Sequence, residues 1–273
     1  MDTRLKYALE KIYKEYHHPR YLGLDPLVCV HRLKTAENPE AVSLLAASLA
    51  YGRVEIIVRS IETALSLMRV SPLEFTMDIP YQEKLRRLAA FKHRFNDGQD
   101  ISALLEAVAS VRREYGSLEE CFRICMRRGA GQFKEAVEYF TSILKERGKS
   151  FCGQRQSFEY LLPSPRRGSA CKRTLMYLRW MIRKDDGIDL GVWKNIPASH
   201  LLVPVDTHVA KIARGCGFTQ RNTADWKMAE EITDALRAFD PEDPVRYDFS
   251  LCRAGMVDFR KNQFTIYNAQ FTI

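Results

Sequence analysis

The sequence predicts an all-α protein. Apolar residues recur at helical spacing through roughly a dozen separate stretches, and the alternation of a half-buried strand is almost absent. Those stretches are bounded by capping residues and by proline or glycine, as helix ends are. The 273-residue chain is 46% hydrophobic and 11% aromatic, which supplies a core and excludes global disorder.

Taken in order, Thr3 to Tyr16 is a helix with Leu5, Ala8, Leu9 and Ile12 on one face, broken at His17-His-Pro. Adjacent His17 and His18 diverge on a helix end, which argues against metal ligation. Asp25-Pro26 starts a second helix through Leu33. Asn38-Pro39-Glu40 opens a third, with Asn as cap and Pro as first helical residue; it carries Ala41, Leu44, Leu45, Ser48, Leu49 and Tyr51. Gly52-Arg53 bends or ends it, and Val54 to Met68 continues as helix. The pattern restarts at Val70-Ser71-Pro72, and Ile79-Pro80 opens a helix over Tyr81 to Ala90. Phe91 and Phe95, at i, i+4 among basic residues, read as core rather than as a nucleic-acid rim. Asn96-Asp-Gly is a turn, and Asp100 caps a helix from Ile101 to Tyr115. Leu118 to Arg127 and Gln132 to Lys145 follow, then a polar connector over Glu146 to Gly153.

Further on, Asp185 to Leu190 reads as loop, with Trp193 anchoring the irregular stretch behind it. Thr223 caps a helix through Phe239, ended by Asp240-Pro-Glu-Asp-Pro, and Val245 to Val257 is the last clear helix. The tail repeats a short β-like phrase at Phe264-Thr-Ile and Phe271-Thr-Ile273.

A net charge of +8 favours an anionic partner, nucleic acid first among them. The seven cysteines are scattered with no CxxC, which reads as reduced thiols in the cytoplasm, without a disulfide framework or a zinc site. No apolar run approaches the roughly 20 residues needed to span a bilayer. No phosphate loop, nucleophile elbow, zinc-protease motif or helical repeat is present.

The most informative stretch runs from Leu162 to Gly217. Pro163 and Pro165 keep the chain out of helix before Gly168. Ser169 is placed to cap a helix through Arg183, whose Leu175, Leu178 and Ile182 form a buried stripe. From Ser164 to Lys184 there are seven basic residues and no acidic one, a phosphate-binding surface at a helix N-terminus. Asp206, behind Pro204, precedes Val209, Ile212 and Ala213 at helical spacing. Its bland role is an N-cap; its sharper role is a catalytic acid. Trp180 and Trp226, at helical spacing, read as core rather than as base-stacking platforms.

Pro204-Val-Asp206-Thr-His208-Val with Ile212-Ala-Arg214 resembles the signature of the helix-hairpin-helix DNA glycosylases, the superfamily of endonuclease III and 8-oxoguanine glycosylase. Ser164-Pro-Arg-Arg-Gly-Ser, Leu178-Arg-Trp-Met-Ile-Arg183 and Asp243-Pro-Val-Arg-Tyr-Asp248 resemble, more closely, an uncharacterised bacterial family known only as a domain of unknown function. The resemblance covers most of the chain. It implies a two-lobed helical fold with a cleft between lobes and a divergent hairpin, Pro165-Arg-Arg-Gly168-Ser-Ala-Cys-Lys172, which has one glycine where the usual motif has two. The central lobe would be residues 36–184 and the second lobe 1–35 with 185–273.

The resemblance further implies a base-excision glycosylase, with or without AP-lyase activity, acting on a flipped base of the 8-oxoguanine type in duplex DNA. Lys172 is the amine nucleophile and Asp206 the acid that activates it and stabilises the sugar cation. Arg166, Arg167, Gly168, Ser169, Arg173, Arg179, Arg183 and His208 are the expected nucleic-acid contacts. No cofactor is expected. A four-cysteine cluster loop is missing, since only Cys216 and Cys252 follow Asp206, so no iron–sulfur cluster is expected. The expected form is a monomer without a membrane partner. The alternative is a DNA- or RNA-binding protein of the same fold that performs no chemistry.

Overall fold

The computed structural model describes residues 3–33 and 39–261, with side chains through 257. The expected Asn38 cap and the repeated phrase at Phe264 and Phe271 lie outside the described residues. Among the described residues the regular structure is helical, save for one two-stranded antiparallel hairpin. Its helices are α1 (Thr3–Tyr16), α2 (Leu27–Arg32), α3 (Glu40–Ser48), α4 (Val54–Met68), α5 (Pro72–Met77), α6 (Tyr81–Arg87), α7 (Gly98–Tyr115), α8 (Leu118–Arg128), α9 (Phe133–Cys152), α10 (Gln156–Leu161), α11 (Lys172–Ile182), α12 (Thr207–Gly215), α13 (Trp226–Arg237) and α14 (Asp248–Lys261). Among the described residues no helix is long and apolar enough to cross a membrane.

The chain divides into two compact units. One is Gly23–Arg167; the other joins the chain up to Leu22 with the chain from Gly168 onward. These boundaries differ from the expected division at 35/36 and 184/185. The basic helix α11, expected to close the central lobe, belongs with the termini instead, because α11 is buried from Arg173 through Ile182 among elements of that unit.

In the Gly23–Arg167 unit, α7 is the central rod. It packs against α3, α5, α6, α8, α9 and α10, and Ile101, Ala103, Leu104, Leu105, Ala107, Val108, Ala109 and Val111 are all buried. Its start is a turn earlier than the sequence suggests. Asp97 is the cap, accepting from the N–H groups of Gln99 and Asp100 at 3.1 and 3.2 Å, and Asp100 completes a capping box by accepting from the Asp97 N–H. Only glycine fits at 98, the first residue of this helix, because a Cβ there would lie 1.9 Å from the Leu88 carbonyl oxygen. The expected polar connector over Glu146 to Gly153 is the end of α9. Glu146 and Ser150 are exposed there, while Gly148 presses against the ring of Phe158, where a Cβ would lie 2.0 Å from Cζ. Gly153, at φ +70°, ends the helix.

In the other unit, α14 packs against α1 and α12. The loop after α11 folds back on it: Leu190 and Trp193 donate backbone N–H bonds to the carbonyls of Trp180 and Met181, both near 2.9 Å. Trp193 is buried edge-on against Tyr177. Trp180 and Trp226 are buried core side chains. The cap of α13 is Asp225, which accepts from the Met228 N–H, rather than Thr223.

Candidate functional site

Asp206 sits at the entrance to α12 with extended backbone, φ −111° and ψ −178°. Val203-Pro204-Val205 ahead of it is extended and buried, and the Val203 N–H is tied to the Thr233 hydroxyl at 2.9 Å. The two oxygens of the Asp206 carboxylate do different things. Oδ1 accepts from the Val209 N–H at 2.8 Å, the N-cap bond that the spacing predicts. Oδ2 accepts from the Cys252 thiol at 3.1 Å and lies 3.9 Å from Lys172 Nζ.

Lys172 is the first residue of α11. Ser169 does not cap this helix. Its hydroxyl accepts from the Cys171 N–H at 3.0 Å, and Cys171 takes the cap position in a left-handed conformation, φ 48° and ψ 32°. Such backbone at a non-glycine residue costs on the order of 1–3 kcal/mol and persists only where the surroundings impose it. Here the buried Cys171 side chain is held beneath the helix start. Two helix N-termini therefore present an amine and a carboxylate to each other, the amine 37% exposed and the carboxylate 14%.

Burial opposes the charge on Asp206. Lys172, the Val209 N–H, the Cys252 thiol and nearby His208 outweigh it and hold the carboxyl below the usual carboxylate range. The carboxylate is thus ionised at neutral pH. Cys252 is pushed the other way, by burial first and then by the negative charge of Asp206, so it stays a thiol and a donor. Asp248, one turn before Cys252 on α14, is fully buried; burial raises its carboxyl to about 6 against the pull of Arg179, and the charge on Asp206 adds to the rise.

The rest of the expected nucleic-acid surface is divided. Arg179 and Arg183, expected as nucleic-acid contacts, are both buried inside the protein. Arg179 pairs with Asp189 at 3.1 Å and with Asp248. Arg183 donates to Asp189 at 2.5 Å and to Asp243 at 2.9 Å, and pairs with Asp186 at 3.0 Å. Asp186 in turn meets His17 Nε2 at 2.8 Å, which gives that histidine a structural partner. Asp189 spends one oxygen on each arginine, so neither guanidinium can reach a phosphate without unmaking the core. Arg173 is buried as well. His208 packs its Cβ where a side chain on Gly255 of α14 would lie, 2.9 Å away. Gly168, at φ +76°, has open space around it. Arg166 and Arg167 belong to the Gly23–Arg167 unit and are exposed, paired at 2.7 Å with Glu135 and Glu159. Exposed pairs of this kind exchange readily for other anions.

Sequence reasoning gave no site role to Cys252, Asp248, Asp189 or Asp243, although Asp243 and Asp248 bound one of the phrases that carry the family resemblance. Asp248 and Cys252 do stand at i, i+4, one face of one helix, and that spacing was the available signal. None of the seven cysteines is in a disulfide, and all are buried. Among the described residues no group of three or more His, Cys, Asp or Glu side chains is arranged to hold a metal ion.

Residues 25–257, most of the chain, match the family described as "Protein of unknown function (DUF2400)". No curated protein and no solved structure matches the chain. The resemblance to the helix-hairpin-helix glycosylases is therefore overturned: the family match is to this other group, and no glycosylase family or relative accompanies it.

Proposed function

We propose, for a chain that belongs to the DUF2400 family, that Lys172 and Asp206 form an amine–carboxylate pair that cleaves the N-glycosidic bond of an everted nucleotide in DNA. The reading rests on the chain's own geometry and not on kinship with any glycosylase. The observation that carries it is the 3.9 Å separation of Lys172 Nζ and Asp206 Oδ2, each at the start of its own helix.

In this reaction Lys172 first passes one proton to Asp206; the neutral amine then attacks C1′ and the bond from C1′ to the base breaks, its electron pair leaving with the base. The departing base takes that proton from Asp206, which returns to the carboxylate while the positive charge stays on the sugar–lysine nitrogen. While the sugar carries positive charge, the ionised carboxylate lies across from it in a partly shielded site, where a fixed negative charge is most effective. Ring opening leaves a Schiff base on Lys172, from which the 3′ phosphate can be eliminated. The N–H groups near Gly168 and Ser169 are the phosphate contacts left in this unit after Arg173, Arg179 and Arg183 are assigned to the interior. The partner is lesion-bearing duplex DNA, the lesion an oxidised purine, and the unbridged thiols suit a reducing cytoplasm.

The test is borohydride trapping on oligonucleotides holding 8-oxoguanine, uracil or an abasic site, beside direct assay of base release. The expected result is a covalent adduct that disappears in Lys172→Ala. Absence of both adduct and base release with all three substrates would overturn the reading.

A further inference from the structure

The Gly23–Arg167 unit carries an aromatic cluster that plays no part in the amine–carboxylate pair. Lys92–His93 and Asn96–Asp97 form a two-stranded hairpin, pairing His93 with Asn96, so Arg94 and Phe95 are its tip. Arg94 is left-handed at φ +54°, a conformation rare for a bulky residue and one that turns the tip outward. Phe91, expected to pair with Phe95 in the core, is buried alone, while Phe95 is 45% exposed. The i, i+4 reading of these two phenylalanines fails because the segment is a hairpin, not a helix.

Phe95 stacks on Tyr51, ring centroids 5.3 Å apart and 20° from parallel. Tyr160, 43% exposed, stands edge-on to both rings at 5.0 and 4.5 Å. Tyr51 is fixed from behind: its hydroxyl bonds Asn96 Oδ1 and the His93 carbonyl, the latter at 3.2 Å. Arg94 lies over the Tyr51 ring at 6.0 Å. The exposed cations of these segments are Arg94, Lys92 and Arg53, the last paired with Glu55 at 3.8 Å. Two neighbouring acids in sequence are engaged elsewhere: Asp97 by Arg155 at 2.6 Å, and Glu159 by Lys149 and Arg167, both at 2.7 Å.

We propose that Tyr51, Phe95 and Tyr160 are a stacking platform for unpaired bases of single-stranded DNA, with Arg94 and Lys92 on its phosphates. Two exposed rings in mutual contact, anchored by a third and flanked by the exposed side chains of Arg94 and Lys92, fit a ligand that is flat, apolar on its faces and polyanionic. A duplex hides its base faces, so the platform reads only strands whose bases are splayed out. The proposal is independent of glycosidic chemistry, since every residue in it belongs to the Gly23–Arg167 unit.

The experiment uses the full chain and a fluorescein-labelled oligothymidylate, read by anisotropy across a salt series. Phe95→Ala and Tyr160→Ala are each expected to weaken binding about 5- to 100-fold, the range for loss of one base–aromatic stack. Phe95→Trp should bind like the wild type, and Arg94→Ala should lower the salt slope by about one phosphate contact. Both alanine changes are at the surface, so circular dichroism melts should overlay the wild type. A 5-iodouracil oligonucleotide, photo-crosslinked to the unmutated chain, should map to peptides containing Phe95 or Tyr160. Unchanged affinity in both alanine variants, crosslinks confined to other segments, or no binding of the oligonucleotide by the wild type would each overturn the proposal.

Discussion

The Cys252 thiol donates to Asp206 Oδ2 at 3.1 Å, on the oxygen that also faces Lys172. A buried thiol is a weak donor, yet its acceptor here is ionised and shielded, where hydrogen bonds gain strength. The contact exists because α12 and α14 approach closely over Gly255, whose missing side chain leaves room for His208.

Removing that donor should raise the Asp206 carboxyl, since a bond to the charged form is lost. Cys252→Ala is therefore expected to move the acid limb of the trapping reaction's pH profile upward, while Cys252→Ser keeps a donor and stays near the wild type. Because charge-assisted bonds contribute about 1.5–3 kcal/mol, the limb should move by roughly one unit or more. Superimposable acid limbs for alanine and wild type would show that the thiol only fills space.

Capping and chemistry at Asp206 can be separated by one atom. Asn caps a helix about as well as Asp, so Asp206→Asn should leave the urea midpoint close to the wild type while abolishing base release and trapping. Asp206→Ala should also lose stability, by about 1 kcal/mol, as the Val209 N–H loses its acceptor. If Asp206→Asn retains full activity, the residue is a cap and nothing more.

The helical class was legible because periodicity and caps are local, and Pro204, Asp206 and Val209 announce the start of α12 within six residues. The fate of α11 was not. Seven basic residues without an acid look like an exposed surface, but Arg183 finds Asp243 60 residues on and Arg179 finds Asp248 69 residues on. Only Asp186 and Asp189, immediately downstream, gave a local hint that these charges are consumed. Phe95 failed for a different reason. Its spacing from Phe91 fits a helix, and the turn signal at Asn96-Asp-Gly lay just beyond the pair it should have corrected. The Cys252–Asp206 contact depends on two helices meeting at Gly255, which no pattern within either helix reports.

Arg183 is expected to matter for folding and not for nucleic acid. Burial opposes its charge, but Asp189, Asp243 and Asp186 more than restore it, and its pKa stands above the ordinary arginine value. Taking away one partner from a buried ion cluster costs about 3–5 kcal/mol, because the acids left behind are unpaired. Arg183→Met should lower the urea-derived stability by that amount. At concentrations where the variant remains folded, its salt slope for oligonucleotide binding should equal the wild type's. A slope smaller by one contact, with stability intact, would return Arg183 to the surface.

Asp248 makes stability depend on pH in the direction opposite to an ordinary ion-paired carboxylate. Burial, partly offset by Arg179, places its folded pKa at about 6, above the unfolded value near 3.9. Between those two values the folded state binds the extra proton, so this group's contribution to stability grows as pH falls from about 7 to about 4 and is constant below that. Asp206 and Asp186, held below the ordinary range, act later: what they contribute is lost only as pH falls below about 4, through their folded pKa values. The two windows do not overlap, and a difference experiment isolates the first. Asp248→Asn cannot titrate, while the histidines and surface carboxylates titrate alike in both chains. The wild type should therefore gain on Asp248→Asn by on the order of 2–3 kcal/mol between pH 7 and pH 4 in urea unfolding, whatever the offset between them at pH 7. Parallel stability curves over that interval would mean that Asp248 stays charged throughout, its pair with Arg179 outweighing the cost of burial.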